Sequence, residues 1–333
     1  MANARYGQKI KILHIVDILK KHSDEFHPIN ATKICELLAE RGVTAERKAI
    51  YNDIEELCLY GYDIVKSTSP RGFFLGEREF EIPEIYLLCD AVRAAKFISA
   101  KKSRELIEKL DSMLSVYQVK QREKGIYIDA VGKCDNEEIY YTIDCISNAI
   151  EQKKKITALY HTVVLGENRE LKTNVREIKL SPYALTWQGD HYYVVGNYEK
   201  YDNLIHLRLD RMKDVESIDE PARHFSLVSD YTESFDITDY TKRLFGMYTG
   251  EIEEIELCCN KKIIPQIIDR FGEDIFIKKV TEETFSFSAE TAVSEALVTW
   301  IMNYGSDIKV TSPEHLKERV INRAEQILEN YKK

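Results

Sequence analysis

The stretch QGDHYYVVGNY, residues 188–198, places three tyrosines and a histidine in eleven positions. Tyrosine is an expensive choice for a core strand, because each buried hydroxyl must find a hydrogen-bond partner. It suits a strand that packs one ring inward and offers its neighbour to a guest. The flanking sequence decides between the two readings.

Downstream, in IHLRLDR at 205–211, Leu207 and Leu209 alternate with His206, Arg208 and Asp210. This is the two-residue period of a strand, with one apolar face that can close a small barrel and one face carrying an imidazole and a guanidinium. Arg211 follows where the strand ends. Aromatic rings and cationic forks on one surface are the chemistry of a nucleotide or oligonucleotide site. A structural alternative uses the same residues: Arg208 pairs with Asp210, Arg211 pairs with Asp210, Asp214 or Glu216, and the hydroxyls of Tyr192 and Tyr193 bond to backbone.

Upstream of this β-rich segment at 155–218, the periods are helical. A helix is expected over 136–153, with the acidic run from Asp135 at its N-terminal end. Two amphipathic helices are expected at 83–98 and 101–118. Leu87, Leu88, Ala91, Ala94 and Ala95 form a small-residue face, suited either to a dimer seam or to an ordinary core. Residues 7–21 set Ile12, Ile15, Val16 and Leu19 on one helical face. In the next helix Asn30 is the N-cap, Ile34, Leu37 and Leu38 the buried side, and Gly42 the stop. A third helix has Thr44 as a possible cap and Ile50, Ile54 and Leu57 as its stripe. DIVKSTSPRGFFLG then reads as a hairpin around a turn containing Pro70 and Gly72. Three short helices and a hairpin make the order of a winged helix-turn-helix. The third helix carries Arg47, Lys48, Tyr51 and Asn52 away from its stripe, at the end that reaches base edges, while Lys66 and Arg71 on the wing suit phosphate or the minor groove.

From about residue 248 the order is strand, helix, strand, strand, helix, strand, helix, as in a ferredoxin-like α+β sandwich. The 333 residues, 44% hydrophobic and 31% charged, suit a soluble multidomain protein. No apolar run approaches a membrane span, and MANARYGQKI has no signal core. The seven scattered cysteines, without a C-x-x-C pair, read as reduced cytoplasmic thiols. The net charge of −9 is uneven, since residues 1–80 carry as many basic as acidic side chains. That permits nucleic-acid binding there.

ERKAIYNDIEELCLYGYDIV, residues 46–65, resembles the recognition helix of bacterial regulators that join a winged helix-turn-helix to a WYL domain. Asn52 and Ala49 stand where that family commonly has arginine and Ser or Thr. The resemblance is stronger in LSPYALTWQGDHYYVVGNYEKYDNLIHLRLDRMKDV. The family's Trp-Tyr-Leu falls on Tyr192, Tyr193 and Val194, its Pro-Tyr-x-Leu on Pro182, Tyr183 and Leu185, and its closing strand on residues 206–212. The resemblance implies an α+β multidomain chain: a winged helix-turn-helix over 1–80, a helical linker over 81–135, an SH3/Sm-like β-barrel (WYL) over 136–223, a connector over 224–247 and a ferredoxin-like C-terminal extension over 248–333.

The same resemblance implies a ligand-responsive transcriptional regulator on a double-stranded operator, sensing a nucleotide or short nucleic-acid effector; a homodimer is expected from two-fold operators and the helical middle, and a cytoplasmic location from the cysteines. DNA contact is expected of Thr44, Arg47, Lys48, Tyr51, Asn52, Lys66 and Arg71. Effector contact is expected of Ser181, Tyr183, Tyr193, His206, Arg208 and Arg211. The alternative is an RNA or single-strand sensor whose helical head docks a protein partner. The chain has no Walker loop, G-x-G-x-x-G, H-E-x-x-H or G-x-S-x-G. Cys258 and Cys259 point to opposite faces of one strand, which suits packing and not a metal. Ser181, His206 and Asp210 have no hydrolase spacing. No enzyme activity, cofactor or metal is expected.

Overall fold

The computed structural model describes residues 3–123 and 132–332; residues 124–131 of the expected linker lie outside the described residues. The chain divides into two compact units, residues 1–137 and 138–333.

The first unit opens with α1 (Asn3–His22), α2 (Ala31–Glu40) and α3 (Arg47–Tyr60), followed by the hairpin β1 (Ile64–Thr68) and β2 (Arg71–Leu75). Their apolar stripes meet in one core of Ile15, Ile18, Leu19, Ile34, Leu38, Ile50, Ile54, Leu57 and Phe73. Asn30 caps α2, its side chain accepting the Lys33 amide. Gly42, with φ +77°, follows the end of that helix. Thr44 does not cap α3: Glu46 stands at the N-cap, without a side-chain bond. Gly72 lies inside β2 and not in the turn, because the register pairs Thr68 with Arg71 and Ser67 with Gly72. A Cβ on Gly72 would fall 2.7 Å from the Ile29 carbonyl carbon, so the glycine admits the bridge between Ile29 and Phe73.

Three more helices complete this unit: α4 (Ile82–Ala94), α5 (Ala100–Asp111) and α6 (Val116–Glu123). The single helix expected over 101–118 is broken. Ser115 Oγ accepts the Gln118 amide at 3.1 Å, starting a new helix, and donates to the Asp24 carboxylate at 2.6 Å. In α4 the packed residues are Ile85 and Cys89, whereas Leu87 and Leu88 are 72% and 40% exposed. Arg78 ties the ends of these elements together, donating to the carbonyls of Lys20, Ser23 and Met113.

The second unit begins with α7 (Ile139–Glu151), whose Ile139, Thr142, Ile146 and Ala149 are buried. Five antiparallel strands come next: β3 (Lys154–Leu165), β4 (Leu171–Gln188), β5 (His191–Asn197), β6 (Ile205–Arg208) and β7 (Met212–Pro221), in spatial order β6-β5-β4-β3-β7. The eighteen-residue β4 serves both halves of this curled sheet. Its interior holds Ile156, Ile178, Leu180, Val194, Leu207, Leu209 and Met212. The edge strands β6 and β7 are joined by a single 3-10 turn, Leu209–Arg211.

A connector with α8 (Ile237–Lys242) leads to β8 (Glu251–Asn260), α9 (Ile264–Phe271), β9 (Phe276–Val280), β10 (Thr284–Val293), α10 (Glu295–Asn303), β11 (Ile308–Ser312) and α11 (Glu314–Tyr331). The strand order β11-β8-β10-β9 is antiparallel throughout. Ile255, Leu257 and Cys259 of β8 and Phe285 and Phe287 of β10 face Ile267, Leu297, Ile301 and Leu316 of the helices. Cys259 is a core side chain and Cys258 faces the other way, partly exposed.

Candidate functional site

The first turn of α3 stands clear of the core because Ile50 and Ile54 fix which side is buried. Arg47, Lys48 and Asn52 are exposed, as are Thr44, Lys66 and Arg71. Tyr51 is half-buried, its ring edge-on to Phe73 at 5.6 Å. Arg47, Tyr51, Lys66 and Arg71 surround a concavity of about 160 Å³ that is closed on one side by Ala31 and Thr32 at the start of α2. The structure thus gathers four of the seven residues expected to meet DNA. Lys48, Asn52 and Thr44 lie outside this concavity. Among the described residues, none of Arg47, Lys48, Lys66 and Arg71 has a carboxylate within ion-pair distance. Asn30, Ala31 and Thr32 at the start of α2 line the concavity beside these cations. Asn30 signals that helix start in the sequence, but only the fold shows that it opens toward Arg47.

The six residues expected to meet an effector separate into three surroundings. Ser181 is buried, and its Oγ accepts the Arg223 amide at 3.0 Å. Tyr183 packs on Phe225 and Phe235 of the connector, and burial pushes its hydroxyl up to about 12. Among the described residues that hydroxyl has no hydrogen-bond partner. His206 is partly buried and both ring nitrogens are engaged: Nδ1 lies 2.7 Å from the Met247 carbonyl and Nε2 lies 3.0 Å from the Tyr240 hydroxyl. Burial holds its imidazole below the usual 6.5, against the opposing pull of the Met247 carbonyl.

Arg208 pairs across the sheet with Tyr193. Its guanidinium is forked onto Asp210, with 24% of its side chain exposed and 8% of the aspartate's. The outward, free fork expected of Arg208 is therefore replaced by a local ion pair, which the next-but-one spacing makes possible. Arg211 is exposed at the end of the 3-10 turn. Tyr193 is half-buried against the cluster of Val195, Tyr240 and Met247. Connector residues cover the His206 end of this face, which the alternation of β6 could not reveal.

A different part of the same sheet carries side chains that sequence reasoning passed over. Lys155 of β3, Arg176 and Lys179 of β4, and the segment following β5 with Tyr198, Lys200 and Tyr201 line a cavity of about 330 Å³. Ser181 is the one effector candidate that reaches it. Among the described residues, no three His, Cys, Asp or Glu side chains converge as a metal set, and no helix is long and apolar enough to cross a membrane.

Comparison with known proteins adds two domain matches and one relative. Residues 142–217 match the WYL domain and residues 251–328 match the WCX domain. A protein of Bacillus subtilis (strain 168), the uncharacterized HTH-type transcriptional regulator YobV, is 23% identical over 284 residues, 82% of this chain and 86% of that protein. Among solved structures, proteasome accessory factor B/C (PafBC) of Arthrobacter aurescens aligns with 95% of this chain at 13% identity. This chain spans 46% of that one, and the TM-score of 0.26 is too low to carry a shared fold. With a WYL domain followed by a WCX domain behind three helices and a hairpin, the chain is similar in its domain content to the WYL-domain transcriptional regulators.

Proposed function

We infer that the chain is a ligand-responsive DNA-binding transcriptional regulator, acting as a cytoplasmic homodimer. Residues 1–80 are its winged helix-turn-helix, 136–223 its small sensing barrel and 248–333 a ferredoxin-like extension. The observation that carries this reading is the concavity around Arg47, Tyr51, Lys66 and Arg71. A helix end, a wing and a second helix N-terminus there present cations without carboxylate partners among the described residues, which favours contact with a phosphate backbone. The effector is a nucleotide or short nucleic acid held by the barrel. It switches DNA affinity only if it binds one arrangement of the DNA-reading heads better than another.

Fluorescence anisotropy with random and upstream-region duplexes, at two salt concentrations, tests the reading. Tight, sequence-dependent binding that weakens steeply with salt is the expected result. Failure of every duplex to bind at low salt would sink it. The chain would then be read as a single-strand or RNA sensor whose head docks a protein.

A further inference from the structure

The cavity of about 330 Å³ between β3, β4 and the segment after β5 is built to hold something. Its rim is fixed from two sides. Asn197, fully buried, donates its amide to the carbonyls of Tyr201 at 2.7 Å and Asn203 at 2.9 Å. Arg223 donates to the carbonyls of Glu199 and Tyr201 and to the carboxylate of Asp202. The segment carrying Tyr198 and Tyr201 is thereby held in place before any guest arrives, which removes an ordering penalty from binding.

The charges around it are not all used. Lys155 is matched by Glu199 and Glu220, and Lys179 by Glu220. Arg176 has no carboxylate within ion-pair distance among the described residues; its guanidinium lies 5.4 Å from the Tyr160 ring centre and 6.0 Å from that of Tyr198. Lys200 likewise has no such partner, and its ammonium lies 5.5 Å from the Tyr201 ring centre. Arg176 also donates to the Tyr198 hydroxyl at 3.5 Å. Two aromatic rings and two cations without carboxylate partners among the described residues therefore border one cavity. An aromatic plane takes a planar ring, and a guanidinium takes a phosphate by paired hydrogen bonds. The volume is at the small end of ligand pockets, which run from about 300 Å³ upward, and so suits one nucleotide more than a strand.

We propose that this cavity is a nucleoside monophosphate site, with Arg176 and Lys200 at the phosphate and Tyr198 or Tyr201 stacked on the base. It rests on the reading of the barrel as a nucleotide sensor and moves the site away from Arg208 to the Asn197 end of β5. Calorimetric titration of the full chain with each of the four ribonucleoside 5′-monophosphates, with inorganic phosphate and with a short single-stranded DNA tests it. At least one monophosphate binds saturably, and Arg176→Ala and Tyr201→Ala, both at exposed positions, each weaken it by about tenfold or more with melting temperature retained. Wild-type binding in both variants overturns the site, as does loss of binding in Arg208→Ala alone. Inorganic phosphate binding as tightly as any monophosphate removes the stacking role, and binding of the strand without any monophosphate removes the ligand class. The same preparation is titrated with duplex DNA. Duplex binding without monophosphate binding overturns the site and leaves the regulator, whereas the reverse result leaves the site and overturns the regulator.

Discussion

Arg208 grips Asp210 with two hydrogen bonds, Nε to Oδ1 at 3.0 Å and Nη2 to Oδ2 at 2.6 Å. The two residues flank Leu209, which is fully buried, so the fork closes over the point where β6 passes into the 3-10 turn. The carboxylate is the deeper partner, at 8% exposure against 24% for the arginine. Removing the arginine therefore takes a charged partner from the less solvated member of the pair.

Arg208→Ala should lower stability by about 1–3 kcal/mol, less than for a fully buried pair because the guanidinium still reaches water. Asp210→Ala should cost less, since a freed arginine can turn to solvent. Urea denaturation of both variants measures the difference. A loss below about 0.5 kcal/mol for Arg208→Ala would mean an ordinary solvated pair and would reopen the residue as a ligand contact.

His206 makes stability depend on pH. Its Nδ1 donates to the Met247 carbonyl, and in the neutral ring that burial favours, Nε2 accepts from the Tyr240 hydroxyl. Burial keeps its pKa below the usual 6.5. The unfolded chain then takes up a proton that the folded chain refuses. The contribution is complete above about pH 6.5 and is lost as pH falls below that value toward the folded pKa. Melting temperature should fall on acidification from pH 7 to 5.5, and His206→Gln should flatten the curve. His22 and His191, also shifted down chiefly by burial, provide a background common to both proteins. Parallel curves for wild type and variant would show that His206 is not the group responsible.

Gly72→Ala tests the contact between the wing and the α1–α2 loop. The new methyl would meet backbone atoms of Ile29 at 2.7–2.9 Å, and backbone cannot rotate out of the way. The bridge holds by Ile29 N–H to the Phe73 carbonyl at 2.9 Å and the reverse bond at 2.7 Å. Losing both should lower stability by about 1–3 kcal/mol and displace Arg71, and with it the wing's share of DNA affinity. An alanine variant with unchanged melting temperature and DNA affinity would refute the role given to this glycine.

The features legible in the sequence were local ones. Asn30 announces α2 because a cap and its amide are three residues apart, and the stripe of Ile50, Ile54 and Leu57 orients α3 by period alone. The break at Ser115 was not legible, since it depends on Asp24, 91 residues earlier in the chain. Alternation in 205–211 correctly separated Leu207 and Leu209 from His206 and Arg208. It could not say what would lie over the polar face. Tyr240 and Met247, which bind the imidazole, come 34 and 41 residues later. The cavity beside Tyr198 was missed for a similar reason: Lys155, Arg176 and Tyr201 meet only through the antiparallel pairing of β3, β4 and β5 and the turn after them.

The DNA-reading role proposed for α3 makes a prediction in which affinity and stability part company. Arg47 and Lys48 are exposed and have no carboxylate partner among the described residues, so Arg47→Ala with Lys48→Ala removes two positive charges and little packing. Duplex affinity should fall by about tenfold or more, and the slope of log affinity against log salt should become shallower by about two, one for each lost phosphate contact. Melting temperature should hardly move, because exposed positions contribute little to folding. Tyr51→Ala is the contrasting variant. It loses a ring packed edge-on against Phe73, so it should lower stability as well as DNA affinity. Anisotropy titrations at several salt concentrations, paired with thermal melts, separate the two effects. If the double variant melts well below wild type, or keeps the full salt slope, Arg47 and Lys48 belong to the scaffold and the DNA-contacting surface lies elsewhere.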